Sequence, residues 1–284
     1  MIEYDLAAAG LRALVYAGSI AVAGGVRFTL SFPDAARAVE PVLKRQIVFG
    51  FCLLLVVEPL RYGVFQLAIA GGDWSLAFGP DMRWMGFETP IGRTAALRLV
   101  AAAVAVGLRS RAPALALAAA LVMIGTFLLE GHTASTAARI ALAPLLLIHL
   151  AAVHWWLGAL LPLRALTRRG EPATVVTAVE AFGARALWVV VALLAAGVTL
   201  ALVLTGGVLD LAVPYQQRLL VKVVVVAALL AIAAWNKLRL TPLLRADYGR
   251  GAARLRASIS VEIVVALTVL MATAWMVATA PDDV

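Results

Sequence analysis

The stretch ALWVVVALLAAGVTLALVLTGG, residues 186–207, runs for 22 positions without one charged side chain. A helix rises about 1.5 Å per residue, so such a run covers the roughly 30 Å of a bilayer's hydrocarbon core. Runs of the same kind lie near 8–30, 47–70, 92–108, 113–130, 138–162, 181–206, 217–238 and 258–279. Hydrophobic residues make up 63% of the 284-residue chain and charged residues 14%, with a mean hydropathy of +0.97. Soluble domains are about 45–50% apolar. The pattern predicts an all-α, polytopic integral membrane helix bundle of about eight transmembrane helices, a single domain over 1–284 whose first partner is the lipid bilayer. The chain starts MIEYDLAAAG, acidic where a secretory signal starts basic, so the first run reads as a retained span.

The formal net charge of +8 sits in the connections between spans. That placement speaks for membrane orientation and against nucleic acid as a partner. One set of connections carries Arg37, Lys44, Arg45, Arg109, Arg111, Arg164, Arg168 and Arg169, and then Lys237, Arg239, Arg245, Arg250, Arg254 and Arg256. The opposite set carries only Arg83, Arg93, Arg139 and Arg218 and also holds Asp73, Asp81, Glu88 and Asp210, with acidic ends at Glu3, Asp5, Asp282 and Asp283. The positive-inside rule puts the first set in the cytoplasm and both termini outside. The longest connection, GGDWSLAFGPDMRWMGFETPIG between spans two and three, is rich in aromatics and glycine and is expected to lie at the outer interface as a short helix.

Two of the three histidines fall inside span five, in HLAAVHWWLGALL from His149. Counted from the outer end near Ala138, His149 lies roughly 16 Å along the helix, close to the bilayer midplane. His154 is deeper. Five residues at roughly 100° each separate the two imidazoles by about 140°, so one straight helix cannot chelate a single ion with both. Trp156 shares the face of His149. His132, in LLEGHTAST, stands at the outer end of span four beside Glu130. The methionines after Met1 (Met82, Met85, Met123, Met271 and Met276) all map to the outer half or the outer loop. Thioether and imidazole are copper ligands, although methionine is also a common filler of apolar cores.

Of the other intramembrane charges, Glu58 and Arg61 are three residues apart and read first as a mutual ion pair, with an ion relay as the sharper alternative. Arg98, Arg185, Lys222 and Glu262 read as lying nearer span ends, where long side chains snorkel. Cys52, the only cysteine, reads as a small buried hydrophobe. No GxSxG or HExxH pattern occurs, and the chain is not read as an enzyme.

GHTAST followed by IHLAAVHWWLGALLPL resembles the signature of the copper-resistance protein D family, CopD, which includes PcoD. The segment YQQRLLVKVVVVAALLAIAAWNKLRLTPLL is similar to that family's Tyr, Lys, Asn and Pro pattern, here Tyr215, Lys222, Asn236 and Pro242, and LRASISVEIVVALTVL resembles its last span, with Glu262 in the acidic place. The resemblance implies a copper-handling protein of the bacterial inner membrane that passes copper from periplasm to cytoplasm, with both termini periplasmic. By the motif, His132 and His149 carry over as candidate copper ligands, and Trp156 and Gly158 as packing parts. His154 stands where a small residue is expected and is not carried over; it remains a secondary candidate with Glu58 and Arg61. No fused periplasmic CopC-like domain is recognised, so a separate CopC-like donor is implied as partner; a homo-oligomer is compatible with the reading. The expected route has an outer mouth of Met82, Met85, Glu130 and His132, then His149, with Met123, Met271 or Met276 as co-ligands. Two alternatives are a haem-binding membrane cytochrome and a copper-binding sensor or docking protein that does not transport.

Overall fold

The computed structural model describes residues 2–83, 88–130, 139–208 and 210–277. The long helices are α1 (Ile2–Ser31), α2 (Glu40–Ile69), α3 (Pro90–Leu108), α4 (Pro113–Gly125), α5 (Arg139–Arg169), α6 (Pro172–Leu204), α7 (Pro214–Trp235) and α8 (Tyr248–Val277). Among the described residues there is no strand. Seven of these helices are long and apolar enough to cross a membrane; α4 is shorter, 13 residues continued by the 3-10 turn Thr126–Leu129. The protein is a polytopic membrane helix bundle.

Local sequence sets the ends. Proline stands in the first turn of α2, α3, α4, α6 and α7, where its missing N–H is not needed. α2 and α6 stop the same way, on paired glycines: Gly71 and Gly72 have φ of 62° and 88°, Gly206 and Gly207 have 62° and 75°. In each, the second glycine's N–H reaches back to a carbonyl of the last turn at 2.8 Å, Gly72 to Leu67 and Gly207 to Leu202, which closes a Schellman motif. Several helices outrun the apolar runs that announce them. α5 continues to Arg169 and α6 begins at Pro172, because hydropathy ends at the interface while the hydrogen-bonded helix does not.

α1 is the most enclosed span and packs against α2, α4, α5 and α8; α7 is the least enclosed. α1 and α5 cross with their backbones in close contact. A Cβ on Gly24 would overlap the backbone of Gly158, and a Cβ on Gly158 the backbone of Gly24. Small residues that let backbones touch are a standard means of joining helices in lipid. Gln46 of α2 locks the crossing by donating from Nε2 to the carbonyls of Gly158 (3.0 Å) and Ala21 (3.2 Å).

The long connection between α2 and α3 forms two short helices, Trp74–Ala77 and Pro80–Arg83, with Trp74, Leu76 and Phe78 exposed as expected of an interface. Asp73 caps the first of them. A hydrogen bond from the Ser75 hydroxyl, with the N–H groups of Leu76 and Ser75, holds its carboxyl below the ordinary carboxylate value. Cys52 departs from its expected place: it faces outward from the bundle.

Candidate functional site

Three helices deliver a buried charged cluster. α2 supplies Glu58 and Arg61, α3 supplies Thr94 and Arg98, and the end of α4 with its 3-10 turn supplies Thr126 and Glu130. Each pair from α2 and α3 is one helical turn apart and so shares a face. Arg61 donates from Nε to Glu58 Oε2 at 3.0 Å, and from Nη1 and Nη2 to the two oxygens of Glu130 at 2.6 and 3.1 Å. Arg98 donates from Nη2 to Glu130 Oε1 at 2.9 Å and from Nη1 to Glu58 Oε1. The four groups close a ring of alternating sign, Glu58, Arg61, Glu130, Arg98. Arg98 Nε also donates to the hydroxyl of Thr126 at 2.8 Å, and Thr126 donates in turn to the Met123 carbonyl at 2.7 Å. Thr94 donates to Glu130.

This is where the snorkelling expectation fails. Arg98 is 0% exposed and Glu262 is 2% exposed, so neither head group reaches water. Depth counted from a span end says nothing about which way a side chain points, and both point inward. Arg185 behaves as expected: it is exposed, donates to the Ser31 carbonyl at 2.8 Å and lies over the Phe32 ring. The Glu58–Arg61 pair forms as read, but as one edge of the ring.

Phe127 joins the ring to the histidine helix. The Arg98 guanidinium lies 4.1 Å from its centroid, a cation–π contact, Tyr16 meets it edge-on at 5.4 Å, and the His154 ring centroid is 6.3 Å away. His154 is buried. Its Nδ1 lies 2.7 Å from the Leu150 carbonyl, which can only accept, so Nδ1 carries a proton; Nε2 lies 3.0 Å from the Ser19 hydroxyl of α1. His149 turns the other way, toward α6, as the 140° separation requires. Its Nδ1 donates to the Leu193 carbonyl at 3.3 Å, and its ring stands 3.3 Å from where a Cβ on Gly197 would be. A backbone carbonyl on Nδ1 fixes the tautomer that leaves Nε2 as a lone-pair donor, the arrangement common behind metal-ligating histidines. In His154 that lone pair faces Ser19. In His149 no hydrogen bond takes it among the described residues.

The remaining candidates are scattered. Met82 is buried, with Gln66 donating to its carbonyl at 3.2 Å; Met123 is wholly enclosed, Met276 is buried, and Met271 is exposed on α8. Glu130 has both carboxylate oxygens occupied by Arg61, Arg98 and Thr94. His132 and Met85 lie outside the described residues. Among the described residues no group of three or more His, Cys, Asp or Glu side chains is placed to hold a metal ion. Ser19, Thr94 and Thr126 were not singled out from sequence, since a lone hydroxyl inside an apolar run gives no periodic signal; Asn236 was legible only through the family pattern it resembles.

Fold and site together define a multi-pass membrane protein with a neutral charged ring and two histidines inside the bundle. Residues 1–141 match the family profile of the copper resistance protein D-like N-terminal domain, and residues 176–276 match that of copper resistance protein D. The chain belongs to the copper resistance protein D family, a family of copper-resistance membrane proteins and not of known enzymes. The segment 142–175, which holds His149 and His154, falls between the two matches. Neither a curated protein nor a solved structure matches the chain.

Proposed function

We propose that the protein moves copper ions across the inner membrane, from the side of the acidic loops toward the side of the arginine-rich ones, with His149 as the site near the midplane. The observation that supports this most is the geometry of His149: Nδ1 is committed to the Leu193 carbonyl, which leaves Nε2 to bind a metal. Copper arrives from a periplasmic CopC-like donor at a mouth of His132, Met82 and Met85. Glu130 contributes by tying that mouth to the charged ring rather than by ligation, since its oxygens are already taken. Met123 and Met276, which are buried, and Met271, which is exposed on α8, are the further candidate co-ligands, and few ligands at each stop suit an ion that must leave again. Bis-histidine haem fits less well, because it needs two imidazoles on one ring while His149 faces α6 and His154 faces α1.

The test is copper per chain by mass spectrometry after loading and desalting, with an absorption spectrum of the same samples. Wild type is expected to retain copper and His149→Ala to lose most of it. Equal copper in both would remove His149 from the route, and a Soret band would replace copper transport with electron transfer. Copper retained normally by a wild type that moves none in sealed vesicles would favour the sensor reading. A second variant, Gly197→Leu, is expected to push the imidazole off Leu193 and reduce copper retention without touching a ligand. Unchanged retention there would mean the Leu193 bond does not position the ring.

A further inference from the structure

Glu262 of α8 is 2% exposed and its carboxyl is held by two neutral donors. Trp156 Nε1 of α5 donates to Oε1 at 3.1 Å, and Asn236 Nδ2 donates to Oε2 at 2.8 Å. Asn236 is itself nine-tenths buried, and its Oδ1 has no hydrogen-bond partner among the described residues. It stands at the first position of the π-turn Asn236–Leu240, an irregularity that recurs at functional positions in helices, and its own carbonyl accepts from the Thr241 hydroxyl at 3.0 Å.

The comparison within the molecule is direct. Glu58 is buried and Glu130 is half-buried, and the two share the same two arginines. Among the described residues no cation pairs with Glu262. The elements around it are α1, α5, α7 and the π-turn with the short helix Thr241–Ala246. On α5, His154 is engaged by Ser19 and Leu150, and Arg164 donates to Ser260, two residues from Glu262 toward the arginine-rich end. On α7, Lys222 is half-buried. Arg12 of α1 is half-buried, and Lys237 and Arg239 of the π-turn are exposed. Among the described residues none of these forms an ion pair with Glu262.

A bare carboxylate in a bilayer interior is costly, and two neutral N–H groups do not cancel its charge. We propose that Glu262, with Asn236 and Trp156, is a proton-binding site. The site is built for both states. Ionised, the carboxylate accepts from Asn236 Nδ2. Protonated on Oε2, it donates to Oδ1 after a half-turn of the amide, whose two ends are interchangeable in shape. Uptake forms one O–H bond at Oε2 and release breaks it; the proton comes from water and returns to water, and no electrons move. Occupancy of the site does not depend on copper. Its use, to offset the charge of a copper ion crossing the same bundle, rests on the transport reading above.

The experiment is infrared spectroscopy of the full-length protein in lipid vesicles through a pH series, for wild type, Glu262→Gln and Asn236→Leu. The expected result is a protonated-carboxyl C=O band at neutral pH in wild type that is absent in Glu262→Gln and shifted, not lost, in Asn236→Leu. Should Glu262→Gln fail to fold, the shift in Asn236→Leu decides. Wild-type and Glu262→Gln spectra that coincide in this region from neutral to acid pH would overturn the proposal. In the same vesicles, with a pH dye inside, copper movement by wild type is expected to carry protons and movement by Glu262→Gln is not. Copper movement by wild type with no pH change would overturn the coupling. A wild type that carries the infrared band and moves no copper would count against the transport reading and leave the proton site standing.

Discussion

Replacing Arg98 by alanine is expected to cost about 3–5 kcal/mol of stability, the range for breaking a buried charge pair by removing one partner. Three losses coincide. Glu58 and Glu130 are left sharing one guanidinium, so the ring becomes a net buried anion; Thr126 loses its donor; and Phe127 loses the cation over its face. The first loss dominates, since the cation–π contact is worth roughly 0.5–2 kcal/mol. Combining Arg98→Ala with Glu58→Gln restores neutrality and is expected to recover much of the loss, which a double-mutant cycle resolves. The measurement is unfolding in mixed micelles. A loss below about 1 kcal/mol, the range of exposed ion pairs, would mean water reaches the ring.

The second large effect belongs to the α1–α5 crossing. Gly158→Ala and Gly24→Ala each put a methyl group into the facing backbone, where no side chain can rotate away. Overpacking typically costs about 1–3 kcal/mol, and contact with main chain on both sides places these changes at or above the upper end. Shifting α5 also strains the bonds from Gln46 and moves both described histidines together. Gly107→Ala is the control: nothing lies within 4 Å of its added Cβ, and alanine is the better helix former. Thermal denaturation in detergent should show a clear drop at 24 and 158 and none at 107. Equal melting temperatures for all three would show that the helices do not touch there.

The sequence carried the spans well because twenty apolar residues in a row are hard to read otherwise, and it carried the angle between His149 and His154 because helical geometry alone fixes it. It did not say which of the two faces the centre. Arg98 and Glu262 were misplaced for the same reason: position along a run gives depth, while direction depends on which helix packs where. Glu58, Arg98 and Glu130 come from three helices separated by 40 and 32 residues, and no local pattern links them. Gly158 was legible through the motif it resembles; its partner Gly24 was not, since contact between helices leaves no trace in either one alone.

Two positive and two negative charges alternating around a closed ring form an electrostatic quadrupole. Its field decays far more steeply with distance than that of a single charge, and at the mouth of the bundle it is nearly silent. The ring therefore neither draws cations from solution nor repels them, although it contains four ionised groups. Long-range steering by the protein comes instead from unpaired surface charge, which salt screens within about 8–10 Å. On the proposed route, the ring itself is expected to add little to any ionic-strength dependence of copper capture, so that the choice of ion falls to the ligand atoms and to the hand-over from the donor.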